Sequence, residues 1–470
     1  MRGRIRTWSL WAALNVIIAG YLSYALFAPA STVKTALLPG ETSHGHYQIE
    51  MDCNACHATQ TDASGATSVD SAVMQDACIR CHGQQLKEAR DTHPAKKFND
   101  PVNAELLLTL NAQDCLACHR EHVPEQTLTM GLTMPSDYCW HCHQEVADSR
   151  PSHQGMAYDS CATAGCHNYH DNSALYEKYL DDHWGEPDLL ETALLPQRRS
   201  SIDLDQLVSL AEADANAPKD KLSDKQLLAD WQETSHAAAG VNCSGCHQVA
   251  VDSEPKRSSE PSDQPWSDQV SMETCRSCHE READAFITGK HGMRLAAGMS
   301  PMTPAMARQP MHTDASHRQL DCNACHAGHR FDTQFAAVDA CLKCHADSHS
   351  MAYSDSSHAQ LWRDELAGDL PAGSGVTCAT CHMPRIVDGD DVHVHHDQSS
   401  NLRPNEKMVR QVCKHCHGLE FSLSALADFE LMLSCYDGPP TERNESVEMA
   451  HDWFQEKQRK LEARKAKRNK

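Results

Sequence analysis

Residues 52–57 read DCNACH, and residues 321–326 read DCNACH again. Two cysteines three apart, with a histidine directly after the second, recur ten times along the chain. The sets are Cys53, Cys56 and His57; Cys78, Cys81 and His82; Cys115, Cys118 and His119; Cys139, Cys142 and His143; and Cys243, Cys246 and His247. Then follow Cys275, Cys278 and His279; Cys322, Cys325 and His326; Cys341, Cys344 and His345; Cys378, Cys381 and His382; and Cys413, Cys416 and His417. They use 20 of the 23 cysteines. Residues 160–170, SCATAGCHNYH, hold Cys161, Cys166 and His167, with four residues between the cysteines instead of two. Cys435 alone is left over.

Three chemistries compete for such pairs. Disulfides are common in exported chains, but they impose no histidine after each second cysteine. Zinc sites pair cysteines too, with histidines at other spacings. Cys-x-x-Cys-His is the attachment sequence of c-type haem: both thiols bond to the porphyrin edge and the next imidazole ligates the iron. The repetition selects this third chemistry. His167 stands where every other proximal histidine stands, and a four-residue spacer can bulge outward. The expected cofactor is therefore eleven covalently attached haem c groups, with 160–170 as the fifth site. Cys435 is expected as a free thiol or an intermolecular crosslink.

Composition agrees. The chain has 470 residues, enough for two to three domains. Only 6% of them are aromatic, so the usual large core-fillers are scarce and cofactors would supply apolar volume. The expected fold is mainly α with much irregular loop and few strands, packed around its haems. The net charge of −23 is spread along the chain, which excludes nucleic acid as a partner class. It fits a solvated surface or docking to a basic redox protein.

Of 31 histidines, 11 are proximal, leaving 20 for the sixth position on each iron. His141 and His415 lie inside attachment loops. The expected distal ligands are His93, His122, His153, His170, His183, His236, His291, His317, His329, His349, His358 and His395. His122, His170 and His329 follow a proximal histidine by three residues, so each would reach a neighbouring haem. Methionine, with 17 copies, is the alternative axial ligand.

The first 30 residues, MRGRIRTWSLWAALNVIIAGYLSYALFAPA, place Arg2, Arg4 and Arg6 before an apolar run over 8–28. That run approaches the ~20 residues of a bilayer span. The expectation is a single-pass inner-membrane anchor over 1–30 with the haem domain in the periplasm. The alternative is a signal peptide cleaved near Ala28-Pro29-Ala30. Five haem sites fall within 44–180, a helical linker is expected over 181–230, six haem sites fall within 231–430, and a charged helical tail follows over 431–470. The linker's LDQLVSLAEADANAPKDKLSDKQLLADW has the spacing of two amphipathic helices broken near Pro218.

HAQLW, GVTCATCHMPR, VHVHH and NLRPNEKMVRQVCKHCHGL, all within 231–430, resemble the cytochrome c nitrite reductase and octahaem hydroxylamine oxidoreductase family. That resemblance implies an axial ligand at His395 or His396. It also implies a catalytic haem with an open sixth position at Cys243, Cys246 and His247. No Cys-x-x-Cys-Lys occurs, so an enzyme here would be of the hydroxylamine oxidoreductase kind. Residues 44–180 resemble the tandem modules of class III, cytochrome c3-like, carriers. The leading expectation is an electron carrier between a quinol-linked or periplasmic donor and a periplasmic or outer-membrane cytochrome. The alternative is an oxidoreductase for a small nitrogen or sulfur compound (hydroxylamine, nitrite or tetrathionate) at one five-coordinate haem.

Overall fold

The computed structural model describes residues 2–27, 39–57, 60–61, 67–68, 71–89, 93, 98, 101–128, 131–150, 153–161, 167–171, 175, 177–197, 208–247, 265–443 and 445–468. Among them the chain is helical, with much irregular loop between short helices. Strands are limited to two antiparallel ladders. The chain divides into two compact units, one of residues 1–78 and 98–135 and the other of residues 79–97 and 136–470.

The N-terminal helix α1 runs Arg2–Phe27. Among the described residues no helix is long and apolar enough to cross a membrane. The expected inner-membrane anchor over 8–28, and the localisation built on it, are corrected on this finding. Asn15, Ser23 and the hydroxyls of Tyr21 and Tyr24 interrupt the apolar surface. Asn15 turns its amide onto the Trp11 carbonyl at 2.8 Å. The cleavage sequence Ala28-Pro29-Ala30 lies outside the described residues.

In the first unit, a short hairpin of β1 (Gln60–Thr61) and β2 (Thr67–Ser68) precedes the helix α2 (Ser71–Glu88), which continues beyond this unit. A loop passes so close to His122 that a Cβ on Gly40 would lie 2.3 Å from the His122 carbonyl oxygen. Only glycine fits there.

Among the described residues the second unit has two small apolar clusters. Leu175, Tyr179, Val409, Leu419 and Leu423 form the first, with Trp184 and Leu426 against it. Val338, Tyr353 and Ala359 form the second, with Leu342, Trp362 and Cys435. The low aromatic content predicts cores of this size. Cys435 is thus half-buried against apolar neighbours, and burial pushes its thiol up to about 11.

The expected linker is more tightly held and less helical than its pattern suggests. Its first predicted helix is replaced by irregular chain over 208–211 and one 3-10 turn, Glu212–Asp214, while 204–207 lie outside the described residues. Helix α3 then runs Lys225–Gln232, capped by the Asp224 carboxylate, which accepts from Gln226 and Leu227 N–H at 3.1 Å. Tertiary partners outcompete local propensity here. Leu190 N–H donates to the Cys416 carbonyl, Leu195 N–H to Gly373, and Leu210 N–H to Ala237.

Helix α4, Ser357–Ala367, starts at Ser356, whose hydroxyl accepts from Ala359 N–H at 3.2 Å. It stops at Gly368, which takes the left-handed conformation at φ 83°. Strands β3 (Arg385–Asp388) and β4 (Asp391–Val394) pair in register Arg385↔Val394 and Val387↔Val392, and feed the chain into His395 and His396. The tail is the helix α5, Glu445–Arg468. Its Trp453 is buried, and Lys457 lies over that ring and 3.4 Å from Asp181.

Candidate metal centres

Most of the cysteine motifs form about one turn of helix. Cys53–Cys56, Cys115–Cys118, Cys243–His247, Cys322–His326 and Cys378–His382 are short α-helices, and Cys413–His415 is a 3-10 turn. The histidine N–H donates back to the first cysteine's carbonyl at His57, His119, His143, His279, His345 and His417. Positions i, i+3 and i+4 of a helix share one face. Both sulfurs and the imidazole therefore point the same way. Short polar residues stop each turn from fraying: Asp114 accepts from Leu116 N–H at 3.0 Å, Asp321 from Ala324 N–H at 3.1 Å, and Thr377 from Thr380 N–H at 3.1 Å.

Nine proximal histidines face a second histidine. The ring-centre separations are 6.4 Å for His57–His122, 6.0 Å for His143–His93, 5.9 Å for His167–His153, 5.9 Å for His279–His236 and 5.7 Å for His247–His329. They are 6.2 Å for His345–His291, 6.2 Å for His326–His396, 6.2 Å for His382–His349 and 6.3 Å for His417–His358. Two imidazoles bound to one metal at about 2.0 Å each put their ring centres roughly 6 Å apart. The pairs thus have the span of two axial ligands. Among the described residues no three His, Cys, Asp or Glu side chains converge as a metal cluster. Two opposed imidazoles, with two thiols beside one of them, suit a planar tetrapyrrole that brings its own equatorial nitrogens.

Hydrogen bonds at the other ring nitrogen set the tautomer. Nδ1–H donates to a backbone carbonyl at His93 (Tyr169, 2.7 Å), His122 (Gly40, 2.8 Å), His247 (Ser267, 2.8 Å), His349 (Met432, 2.6 Å), His396 (Val394, 2.9 Å) and His417 (Asp188, 2.9 Å). Nε2 is then left as the lone-pair donor, aimed at the partner ring. At other paired rings burial favours the neutral form, the one that binds metal. Burial, then His345, pushes His291 down to about 4, and burial, then His349, does the same to His382. Burial followed by the facing ring also lowers His167, His236, His329 and His358.

Of the expected distal histidines, the structure brings His93, His122, His153, His236, His291, His329, His349 and His358 opposite a proximal one. His122 and His329 do so from left-handed backbone, φ 63° and 70°. That kink turns each ring from its own motif to another, two motifs back. His170 instead meets Tyr169 edge-on at 5.2 Å. His183 bonds the Glu186 carboxylate at 2.7 Å, and His317 is exposed.

Of His395 and His396, it is His396 that faces His326, while His395 Nδ1 lies 3.3 Å from the Ser400 hydroxyl. Successive side chains of extended backbone point to opposite sides, so only one of the two can face a given motif. The His-His doublet after VHV was the available signal. At His247, the expected open site, His329 lies directly opposite, with Nε2 to Nε2 at 3.4 Å. Cys166 and the spacer 162–165 lie outside the described residues. His119 and His82 direct Nδ1 to the Gly131 carbonyl at 3.2 Å and to Gln85 Oε1 at 3.1 Å.

The motifs also sit beside one another in sequence order. The first cysteines of adjacent motifs share a hydrogen bond at Cys78 and Cys115, at Cys275 and Cys322, and at Cys341 and Cys378; that bond is the main reason the Cys78, Cys322 and Cys341 thiols are raised. Elsewhere burial raises a thiol first, and a cysteine of the next motif adds to it. This holds for Cys139 beside Cys161, Cys246 beside Cys275, Cys325 beside Cys341 and Cys381 beside Cys413.

Residues 45–144 and 235–346 match the cytochrome c3 family. No curated protein and no solved structure matches the chain. The resemblance of 231–430 to nitrite reductases and hydroxylamine oxidoreductases finds no support in these comparisons, whereas cytochrome c3 covers part of that region. The two matches support a multihaem cytochrome c with class III-like modules, covalently bound haem c and a role in electron transfer.

Proposed function

We propose that the chain is an eleven-haem electron carrier. Each of the eleven cysteine pairs holds one haem c, and the physiological reaction is one-electron exchange with redox partner proteins. Bound haem supplies a one-electron iron couple. The chain supplies the rest. Cysteine pairs would fix its position, opposed histidines at nine motifs would hold its iron, and backbone carbonyls orient several of those rings.

The observation that carries this reading is the pairing of nine proximal histidines with a second histidine. Opposed histidines at these nine motifs suit a carrier and would leave a substrate no open position at their irons. The sulfur contacts between successive motifs support transfer in sequence order, from motif 6 to motif 11 in the second half. The acidic surface, with net charge −23, favours a basic docking face on the partner.

The reading is tested on the purified holoprotein. Its intact mass should carry eleven haem increments, and Cys161→Ser should alter attachment at the fifth site. Its electron paramagnetic resonance spectrum should be low-spin throughout. Ten increments unaffected by Cys161→Ser would remove the eleventh site. A high-spin iron that binds and turns over hydroxylamine or nitrite would overturn the carrier.

A further inference from the structure

The C-terminal helix α5 reverses the sign of the chain's charge. Residues 457–470 hold eight Lys or Arg and one Glu, a charge of +7. The whole chain carries −23, so residues 1–456 carry −30. Two of the helix's cations are already used. Lys457 lies 3.4 Å from Asp181, and Lys460 pairs with Glu456 one turn back at 2.6 Å. Among the described residues no carboxylate pairs with Arg464, Lys465, Lys467 or Arg468. The negative end of a helix dipole favours cations, but only within the last turn. Arg459, Lys460 and Arg464 lie before that turn.

The helix is rooted at one end. Trp453 is buried with Lys457 over its ring, and the helix packs against the helix Leu419–Ala427. That neighbour begins two residues after His417 of motif 11, and its Phe421 stacks on the His417 ring at 4.6 Å and 10°. Residues 459–468, by contrast, are all exposed. At about 1.5 Å per residue they make an arm of about 15 Å. That is longer than the Debye length of about 8 Å at physiological salt. The arm's cations are therefore felt separately from the acidic body. Lys460, Arg464 and Arg468 recur every four residues and share one face. Like charges at that spacing repel, so the helix gains when an acidic surface covers the face.

We propose that the exposed half of α5 is a docking arm that takes the acidic surface of a second copy of this chain. Charge complementarity carries the choice of partner: +7 on the arm against −30 on the rest of each chain. Each copy can lay its arm on the other, so the contact closes as a dimer. The two acidic bodies repel, but physiological salt screens that repulsion, whereas ion pairs in contact are weakened only at higher salt. An anionic bilayer has the right sign and the wrong fit. Over 459–468 Leu461 is the one large apolar side chain, so the arm has no apolar face to insert beside its cations. The arm is rooted beside the helix that follows motif 11, the last motif of the sequence-order path. Carrying that path into a second chain rests on the haem-carrier reading; the association itself needs no haem.

The test is sedimentation velocity of the full-length protein at about 0.15 M salt and at about 1 M, where the Debye length falls to about 3 Å. The wild type should be dimeric at the lower salt and monomeric at the higher. Arg464→Gln/Lys465→Gln/Arg468→Gln removes three exposed charges and leaves the root at Trp453 and Lys457 in place. It should weaken the dimer at least about ten-fold. Carbodiimide coupling of an equal mixture of isotopically light and heavy chains is the second readout. Amide links from Lys465 or Lys467 to carboxylates should join light chains to heavy ones. Should the variant fail to fold, the salt series and the links decide. The proposal is overturned if the wild type is monomeric at both salts, if the variant dimerises as tightly as the wild type, or if every such link stays within one chain. Binding of a monomeric wild type to phosphatidylglycerol vesicles, lost in the variant, would overturn it in favour of a lipid surface. A chain that dimerises but carries no haem by mass would sink the carrier reading and leave this one standing.

Discussion

Replacing His329 by glycine isolates one axial link. Glycine is the right substitute because His329 sits at φ 70°, where alanine would add strain and glycine adds none. The other side of the site stays in place. The His247 ring is stacked on Trp266 at 4.7 Å and 9°, and its Nδ1–H donates to the Ser267 carbonyl at 2.8 Å. Loss of one partly exposed ring costs about 1–2 kcal/mol of stability, small enough for the fold to persist. The spin state is where the change is large. With one imidazole left, one iron per chain should pass from low to high spin. The assay is spin integration by electron paramagnetic resonance, repeated with added imidazole, which should restore the low-spin state. The rings are near-parallel, 9° apart, so the signal that disappears should be a rhombic low-spin one. A variant that stays fully low-spin would refute His329 as a ligand. So would a wild-type high-spin signal that vanishes with Cys243→Ser/Cys246→Ser.

The remaining ring angles make a wider spectral prediction. Parallel imidazoles split the two iron orbitals that receive their π density, and perpendicular ones leave them nearly equal. His93–His143 at 87°, His236–His279 at 86° and His349–His382 at 85° should therefore give the large-g, strongly anisotropic signal, and His57–His122 at 18° the rhombic one; cysteine-to-serine deletions assign each. Gly40→Ala would place a methyl 2.3 Å from the His122 carbonyl, so the loop must shift and His122 Nδ1 lose its partner; the spectrum should then show the motif 1 signal broadened or high-spin, with other motifs unchanged. Burial raises the Glu186 carboxyl, but bonds from Lys414 and His183 outweigh it and hold the group below the usual carboxylate range. Its stabilisation is full above the unfolded value and fades as pH falls through the depressed folded one. Glu186→Gln should flatten that acid-side loss in a denaturation series, and an unchanged slope would refute the account.

Much of the attachment chemistry was legible in the sequence because it is local. Cysteines at i and i+3 and a histidine at i+4 share a face in any single helical turn, so DCNACH needs no knowledge of the rest of the chain. The +3 histidines of CHREH and CHAGH were legible too, since that offset forbids binding at their own motif. The distal partner of each motif was not, because it comes from another part of the chain. His395 and His396 are equal in sequence; the exit from β4 alone puts His396 opposite His326. Over 208–214 the apolar pattern reads as helix but the chain makes only a 3-10 turn, with Leu210 N–H bonded to the Ala237 carbonyl.

The sequence by itself determined the chemistry: thiol pairs, proximal imidazoles and a chain poor in large apolar side chains, hence mainly helical turns and loops around cofactors. Tertiary structure decided which imidazole faces which, at what ring angle and with what behind its Nδ1. Those quantities depend on through-space placement over tens to hundreds of residues. The Nδ1 of His46 lies 2.6 Å from the Glu121 carboxylate, whereas the buried Nδ1 of His236 has no hydrogen-bond partner. The consequence of that difference exists only once the chain is folded.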